Sequence, residues 1–147
     1  MIRPYSLSDK ETLLEIFNLN VPKFFGGEEQ KDFESYLKNY SDTYFVFTDK
    51  NKIIGGGGYH FSDNKSAARI SWDILHPGEQ GKGFGKRLVQ HCIDKAVSQN
   101  SVKKLVVWTS NQAHQFYGKF GFELQRTKKH YWGKNLDLYV MHMPAKK

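Results

Sequence analysis

The chain has 147 residues, 39% of them hydrophobic and 15% aromatic, with a formal charge of +7 from 22 Lys and Arg against 15 Asp and Glu. At roughly 100–200 residues per domain this predicts a single domain, 1–147, able to bury a core without staples, and the composition excludes a disordered chain. No run approaches the ~20 apolar residues of a membrane span, the first residues MIRPYSLSDKE hold no apolar signal-peptide core, and a single cysteine, Cys92, excludes an internal disulfide, so a reducing cytoplasm is the expected location.

A short strand is expected around Ile2–Tyr5. Ser8 and Glu11 have capping-box spacing, and Leu13, Leu14 and Phe17 form the apolar stripe of the helix that follows. Pro22 and Gly26–Gly27 break it. A second helix begins near Glu28, with Phe33, Tyr36, Leu37 and Tyr40 at helical spacing. The period then changes. Thr43–Phe47 is β-branched and aromatic, 49–52 reads as a turn, and Lys52–Phe61 returns as a strand, which makes a hairpin. Ala67–Leu75 (AARISWDIL) is the third strand of this meander. The run GGGG at 55–58 is unusual in a strand. It marks either close approach of substrate or backbone, or a bulge or kink, and the kink is the expectation.

Residues 80–85, QGKGFG, join that strand to the strongest helical pattern in the chain, with Phe84, Leu88, Val89, Cys92, Ile93, Ala96 and Val97 recurring at three and four. Cys92 lies on the apolar stripe and reads as a small core residue. Lys104–Thr109 is almost wholly apolar, as in a strand buried on both faces. A short helix over 111–120 and strands over Phe122–Trp132 and Leu136–Met143 complete the order β-α-α-β-β-β-α-β-α-β-β. A strand–turn–helix–strand passage predicts a right-handed parallel crossover. The expected fold is α/β in the α+β sense: a mixed sheet of about seven strands with four helices.

A turn that ends a strand and opens a helix presents unpaired N–H groups, and the helix dipole adds positive potential. Glycines let those groups approach a ligand closely. Gln80–Gly85 therefore reads as an anion site, with Lys82, Lys86 and Arg87 adding charge. A Walker loop needs Gly-Lys-Ser/Thr, which is missing, and the dinucleotide fingerprint has different spacing and position.

Gln80-x-x-Gly83-x-Gly85 resembles the Gln/Arg-x-x-Gly-x-Gly/Ala signature of the GNAT superfamily of N-acetyltransferases. About thirty residues on, Asn111-x-Ala113-x-x-Phe116-Tyr117-x-x-x-Gly121-Phe122 is similar to the second signature of that superfamily, with the alanine one place early. The element order matches as well, so the resemblance spans nearly the whole chain. It implies acetyl-CoA as cosubstrate and no metal. Pyrophosphate would rest on Gln80, Gly81, Lys82, Gly83, Phe84 and Gly85, near Lys86 and Arg87. The pantetheine arm would lie in a splay between Ser71–Leu75 and Lys104–Thr109, with Asn111 and Phe116 beside it. A backbone N–H near Ile74–Leu75 would polarise the thioester carbonyl.

The chemistry so implied is attack of a neutral amine on a thioester, which needs a proton acceptor and an acid for the departing thiolate. The resemblance assigns the acid to Tyr117; its other reading is a core aromatic. Asn111 reads as a helix N-cap with an NH₂ left over for pantetheine. Asp73, a carboxylate in the apolar run ISWDIL, is the leading base, on a face that alternation shares with Ser71 and Leu75. His60, His76 and ordered water stay open as alternatives. Other members carry a glutamate where Arg69 stands here. Phe24, Phe25, Tyr131 and Trp132, with His60, are expected to line the acceptor site. A primary amine on a small molecule is the expected acceptor.

A protein N-terminus is the alternative, because the last strands also resemble those of ribosomal-protein alanine acetyltransferases. Those have a glutamate where Val106 stands here. A non-catalytic module binding CoA or nucleic acid is the rival from outside the class. The charge permits it, but no recognition-helix pattern or basic–aromatic stripe supports nucleic acid. Homodimers are common in the superfamily, and the resemblance allows one here.

Overall fold

The computed structural model describes residues 1–145. Strand β1 (Ile2–Pro4) leads through a 3₁₀ turn into α1 (Lys10–Leu19), then α2 (Gln30–Asn39), β2 (Tyr44–Asp49), β3 (Lys52–Phe61), β4 (Ala67–Leu75), α3 (Phe84–Val97), β5 (Lys104–Ser110), α4 (His114–Gly118), β6 (Glu123–Gly133) and β7 (Leu136–Pro144). The seven strands form one sheet in the order β1-β2-β3-β4-β5-β7-β6. Among the described residues only β4 and β5 pair in parallel, joined through α3. This is the expected element order and the expected mixed sheet.

Helices cover both faces. Leu13, Ile16 and Phe17 of α1 and Phe33, Tyr36 and Leu37 of α2 pack on Tyr44, Val46 and Ile74. On the other face Val89, Cys92, Ile93 and Ala96 of α3 pack on Ala68, Ile70, Leu105 and Val107. Cys92 is fully buried there, as its place on the stripe implies. The first cap differs from expectation. Ser6 and Asp9 form it, not Ser8 and Glu11: the Ser6 N–H donates to Asp9 Oδ2 at 2.8 Å, and Asp9 also takes a two-armed ion pair from Arg3 at 2.9 Å. Two charge-assisted bonds from Arg3 favour the earlier register.

The glycine run and β4 meet in a bulge that positions the site. Ser71 opposes Gly58 and Ile74 opposes Gly56, so Trp72 and Asp73 together face Gly57. Trp72 takes φ +54°, a conformation that costs an ordinary residue about 1–2 kcal/mol. Its carbonyl accepts from Tyr44 Oη at 2.8 Å, and its ring stacks on Phe33 and Phe25 at 5.0 and 6.0 Å. These contacts offset the strain. The glycines supply the space: a Cβ on Gly56 or Gly58 would come within 2.8 Å of the Tyr44 side chain, and one on Gly57 would strike the Asp73 carboxylate. The run is therefore both a kink and a close approach, and what approaches is the chain's own Tyr44 and Asp73.

The extra residue also reverses the alternation. Ser71 and Ile74 face α1 and α2, whereas Asp73 and Leu75 face α3. The shared face expected for Ser71, Asp73 and Leu75 is thus lost for Ser71. Beside the bulge the sheet opens. β4 and β5 stay paired from Ala67↔Lys104 to Ile70↔Val107 and then separate. Beyond that point Ser71–Leu75 pairs only with β3, and Trp108–Ser110 only with β7.

Candidate active site

The opened strands border a cleft of about 1040 Å³ that runs from the glycine turn to an aromatic end under α2. At the first end Gly81 and Gly83 hold φ of +83° and +82°. A Cβ on either would touch nothing, so the requirement there is conformational and the face above the turn is clear. Gly83 is the N-cap of α3 and offers no capping side chain. The helical ladder begins with the Arg87 N–H bound to Gly83 O at 3.2 Å. The N–H groups of the first turn therefore have no intrahelical acceptor and are free to bind an anion. Pyrophosphate fits this bare cradle.

The three basic residues of the turn separate. Lys86 lines the cleft. Lys82 is held by Glu79 at 2.9 Å, and Arg87 lies over the Phe47 ring at 5.0 Å, beside a different, shallow hollow. Gln80, Phe84, Gly85 and Phe116 all border the cleft, as do Ile74 and Leu75. Asn111 is used differently from the cap expected of it. Its Oδ1 accepts from the Asp137 N–H at 2.9 Å and its Nδ2 donates to Asn135 O at 3.3 Å, which ties it to the β6–β7 hairpin. The N-cap of α4 is Ala113, after a turn in which Ser110 Oγ accepts from the Gln112 N–H.

At the middle of the cleft Tyr117 Oη donates to Asp73 Oδ2 at 2.7 Å. The two residues assigned opposite proton roles are therefore one hydrogen-bonded pair. Burial pushes the Asp73 carboxyl up from 3.8 to about 7, against the Tyr117 bond that favours its charge. Burial and then the Asp73 charge push the Tyr117 phenol well above its ordinary range. Asp73 Oδ1 has no partner. Near neutral pH this pair can hold one proton more or one fewer, which suits a proton-transfer site.

The far end is walled by Phe24, Phe25, Tyr36, Tyr40, Tyr131 and Trp132. The tip of the hairpin closes over the loop between α1 and α2, where a Cβ on Gly26 would strike the Trp132 carbonyl and one on Gly133 would reach Gly26. His60 Nδ1 meets Ser71 Oγ at 3.1 Å. Burial first, and then Arg69, push the His60 imidazole down to about 4, so it is neutral at pH 7. His76 is outside the cleft, and its Nδ1 accepts from the Gly78 N–H at 3.0 Å.

Glu29 is a wall residue that the pattern of residues did not single out. It is buried at the start of α2, with Oε2 accepting from the Gly26 N–H at 2.7 Å. Burial pushes its carboxyl up to about 7; the Gly26 bond opposes this and Asp32 adds to it. In sequence it reads as an acid in a first helical turn. The one available signal is Gly26-x-x-Glu29, a capping-box spacing in which glycine replaces the serine.

The model of the acetyltransferase (GNAT) family matches residues 11–122. The chain belongs to this family. A stretch of 75 residues is 30% identical to the histone acetyltransferase GCN5 of Debaryomyces hansenii, covering 51% of this chain and 16% of that protein. The chain thus spans about a sixth of that relative. Ard1 from Thermoplasma volcanium superposes with a TM-score of 0.84 at 17% identity, over 100% of this chain and 98% of that one. An aminoglycoside 6'-N-acetyltransferase complexed with coenzyme A superposes with a TM-score of 0.81 at 13% identity, over 100% and 98%. Likeness at these identities establishes the GNAT fold. Among the described residues no cluster of His, Cys, Asp and Glu could hold a metal ion, and no helix is long and apolar enough to cross a membrane.

Proposed function

We propose that the chain transfers an acetyl group from acetyl-CoA to the primary amine of a small molecule, by direct attack within a ternary complex. The observation that carries this reading is the convergence of two features on one opened strand pair. The turn supplies a bare anion cradle, and the Asp73–Tyr117 pair lies farther along the same cleft. Bound there, acetyl-CoA supplies an acyl group activated as a thioester.

The residues of the chain bind, orient and handle protons. N–H groups from Gly81 to Lys86 hold pyrophosphate, with the Lys86 ammonium adjacent. The free edge of Ser71–Leu75 can pair with an extended amide chain as an added strand would. Tyr117 Oη gives its proton to the departing thiolate and takes another from protonated Asp73 through the 2.7 Å bond. The proton lost by the attacking amine returns to the Asp73 carboxylate, so that the pair is restored after each turnover. The pair thereby acts as an acid whose reserve sits on Asp73 Oδ2. The closed aromatic end, roofed by the hairpin, excludes water and favours a compact acceptor over a chain passing through.

The test is thiol release from acetyl-CoA across a panel of primary amines. Turnover with at least one amine, cut about 100-fold or more in Tyr117→Phe, supports the scheme. Acetyl-CoA binding with no turnover, or full turnover in Tyr117→Phe, counts against it. Salt-sensitive binding of DNA at physiological ionic strength would favour a nucleic-acid module instead.

A further inference from the structure

Among the described residues, four buried side-chain polar atoms have no hydrogen-bond partner, and three of them belong to the cleft: Tyr36 Oη, Arg69 Nε and Asp73 Oδ1. Asp73 already has a role. The other two lie at the acceptor end, and both carry hydrogen-bond donors. Native interiors seldom leave such groups unmet.

Arg69 is the more telling. It stands in β4 one place before the strands part, opposite His60. Its guanidinium lies over the Trp108 ring at 4.1 Å. No carboxylate of the described residues is within ion-pair distance of it, and its side chain donates no hydrogen bond. A partly desolvated cation without a counterion costs several kcal/mol unless something else meets it. The stack on Trp108 meets part of that cost and leaves the planar fork free for in-plane bonds. The Tyr36 hydroxyl faces Ser71 without closing a hydrogen bond of ordinary geometry. His60, neutral and engaged with Ser71, adds no competing charge.

We propose that the amine acceptor carries a carboxylate, bound by the Arg69 guanidinium and the Tyr36 hydroxyl, so that the site selects amino-acid-like acceptors over neutral amines. This rests on the acetyl-transfer reading and names the acceptor class for it. A carboxylate matches the guanidinium fork in shape and brings one charge to one cation.

The experiment compares kcat/KM for α-amino acids and ω-amino acids of increasing length, their amides, and aminoalkylphosphonates, in wild type, Arg69→Met and Arg69→Lys. The best acid should exceed its amide by roughly 10–100-fold, mainly through KM, the range expected for hydrogen bonds to a charged group. In Arg69→Met the ratio should fall to near one, and in Arg69→Lys to an intermediate value. Amides equal to acids in wild type would overturn the inference while leaving acetyl transfer intact. So would phosphonates preferred to carboxylates, or a preference that survives in Arg69→Met.

A second measurement needs no turnover. N-acetyl amino acids, as product analogues, should raise the Tm of wild type but not of Arg69→Met. If no amine is acetylated and this shift is present, the carboxylate site stands and the transfer reading falls. If no carboxylate shifts Tm, the site is overturned. Without ligand, Arg69→Met should melt no lower than wild type, because an unmet charge has been removed. A marked fall would identify Arg69 as a structural residue and overturn the proposal.

Discussion

Asp73→Asn tests the buried carboxyl at the centre of the cleft. The folded protein holds this carboxyl at about 7 against an ordinary 3.8, and burial is the cause. Between those values the unfolded chain has lost the proton and the folded chain retains it. Folding therefore takes up a proton, and stability falls as pH rises from about 4 to about 7. At about 1.4 kcal/mol per pH unit, the whole interval amounts to about 4 kcal/mol. Asparagine keeps an acceptor for the Tyr117 hydroxyl but cannot ionise. The stability of Asp73→Asn minus that of wild type should accordingly grow by about 4 kcal/mol between pH 4 and pH 8. Urea unfolding followed by tryptophan fluorescence, at half-unit steps of pH, measures it. The difference between the two proteins is needed because His60 acts in the opposite sense: its imidazole is held down to about 4, so its contribution is lost as pH falls from 6.5. A difference that stays flat across pH 4–8 would refute the argument that burial, rather than the Tyr117 bond, governs Asp73.

The same pair predicts a kinetic limb: kcat should decline above about pH 7 as Asp73 ionises and locks the Tyr117 proton, and the decline should be absent from Asp73→Asn. Gly83→Ala should raise the KM for acetyl-CoA about tenfold, since φ of +82° costs alanine about 1–2 kcal/mol and the cradle must distort to relieve it. Gly118→Ala, at a position with open space and no positive φ, should leave KM unchanged. The stability of His60→Gln minus that of wild type should grow as pH falls from 6.5 to 4, read from the same urea series. Tyr44→Phe removes the bond to the Trp72 carbonyl and should cost about 1 kcal/mol of stability.

The pattern of residues reached the architecture and the bare glycine turn before α3 because both depend on short-range rules. Helical stripes, alternating strands and a glycine turn before a helix each follow from a few neighbouring residues. Residues such as Val89, Cys92, Ile93 and Ala96 fell on the buried face as their spacing required. Asn111 went differently because its partners, Asn135 and Asp137, lie on a hairpin more than twenty residues away. Glu29 was hidden for a similar reason: it is buried in a loop that the distant hairpin approaches at Trp132 and Gly26.

The bulge at Trp72 shows what such rules cannot carry. Strand alternation assumes one residue for each partner, and one extra residue inverts every face beyond it. Here it keeps Arg69 and Ser71 toward α1 and α2, and turns Asp73 toward α3 and Tyr117. Without it, Asp73 would share a face with Arg69. The inversion separates a carboxylate from a guanidinium only four residues away in the same strand. Each is left with an unmet polar atom on its own side of the sheet. The GGGG run makes this possible, because Gly57 alone admits the Asp73 carboxylate, and Gly56 and Gly58 admit the tyrosine that anchors the bulge. Glycine in this strand therefore shapes the cleft directly: it turns the Asp73 carboxylate to one face and leaves the Arg69 guanidinium on the other.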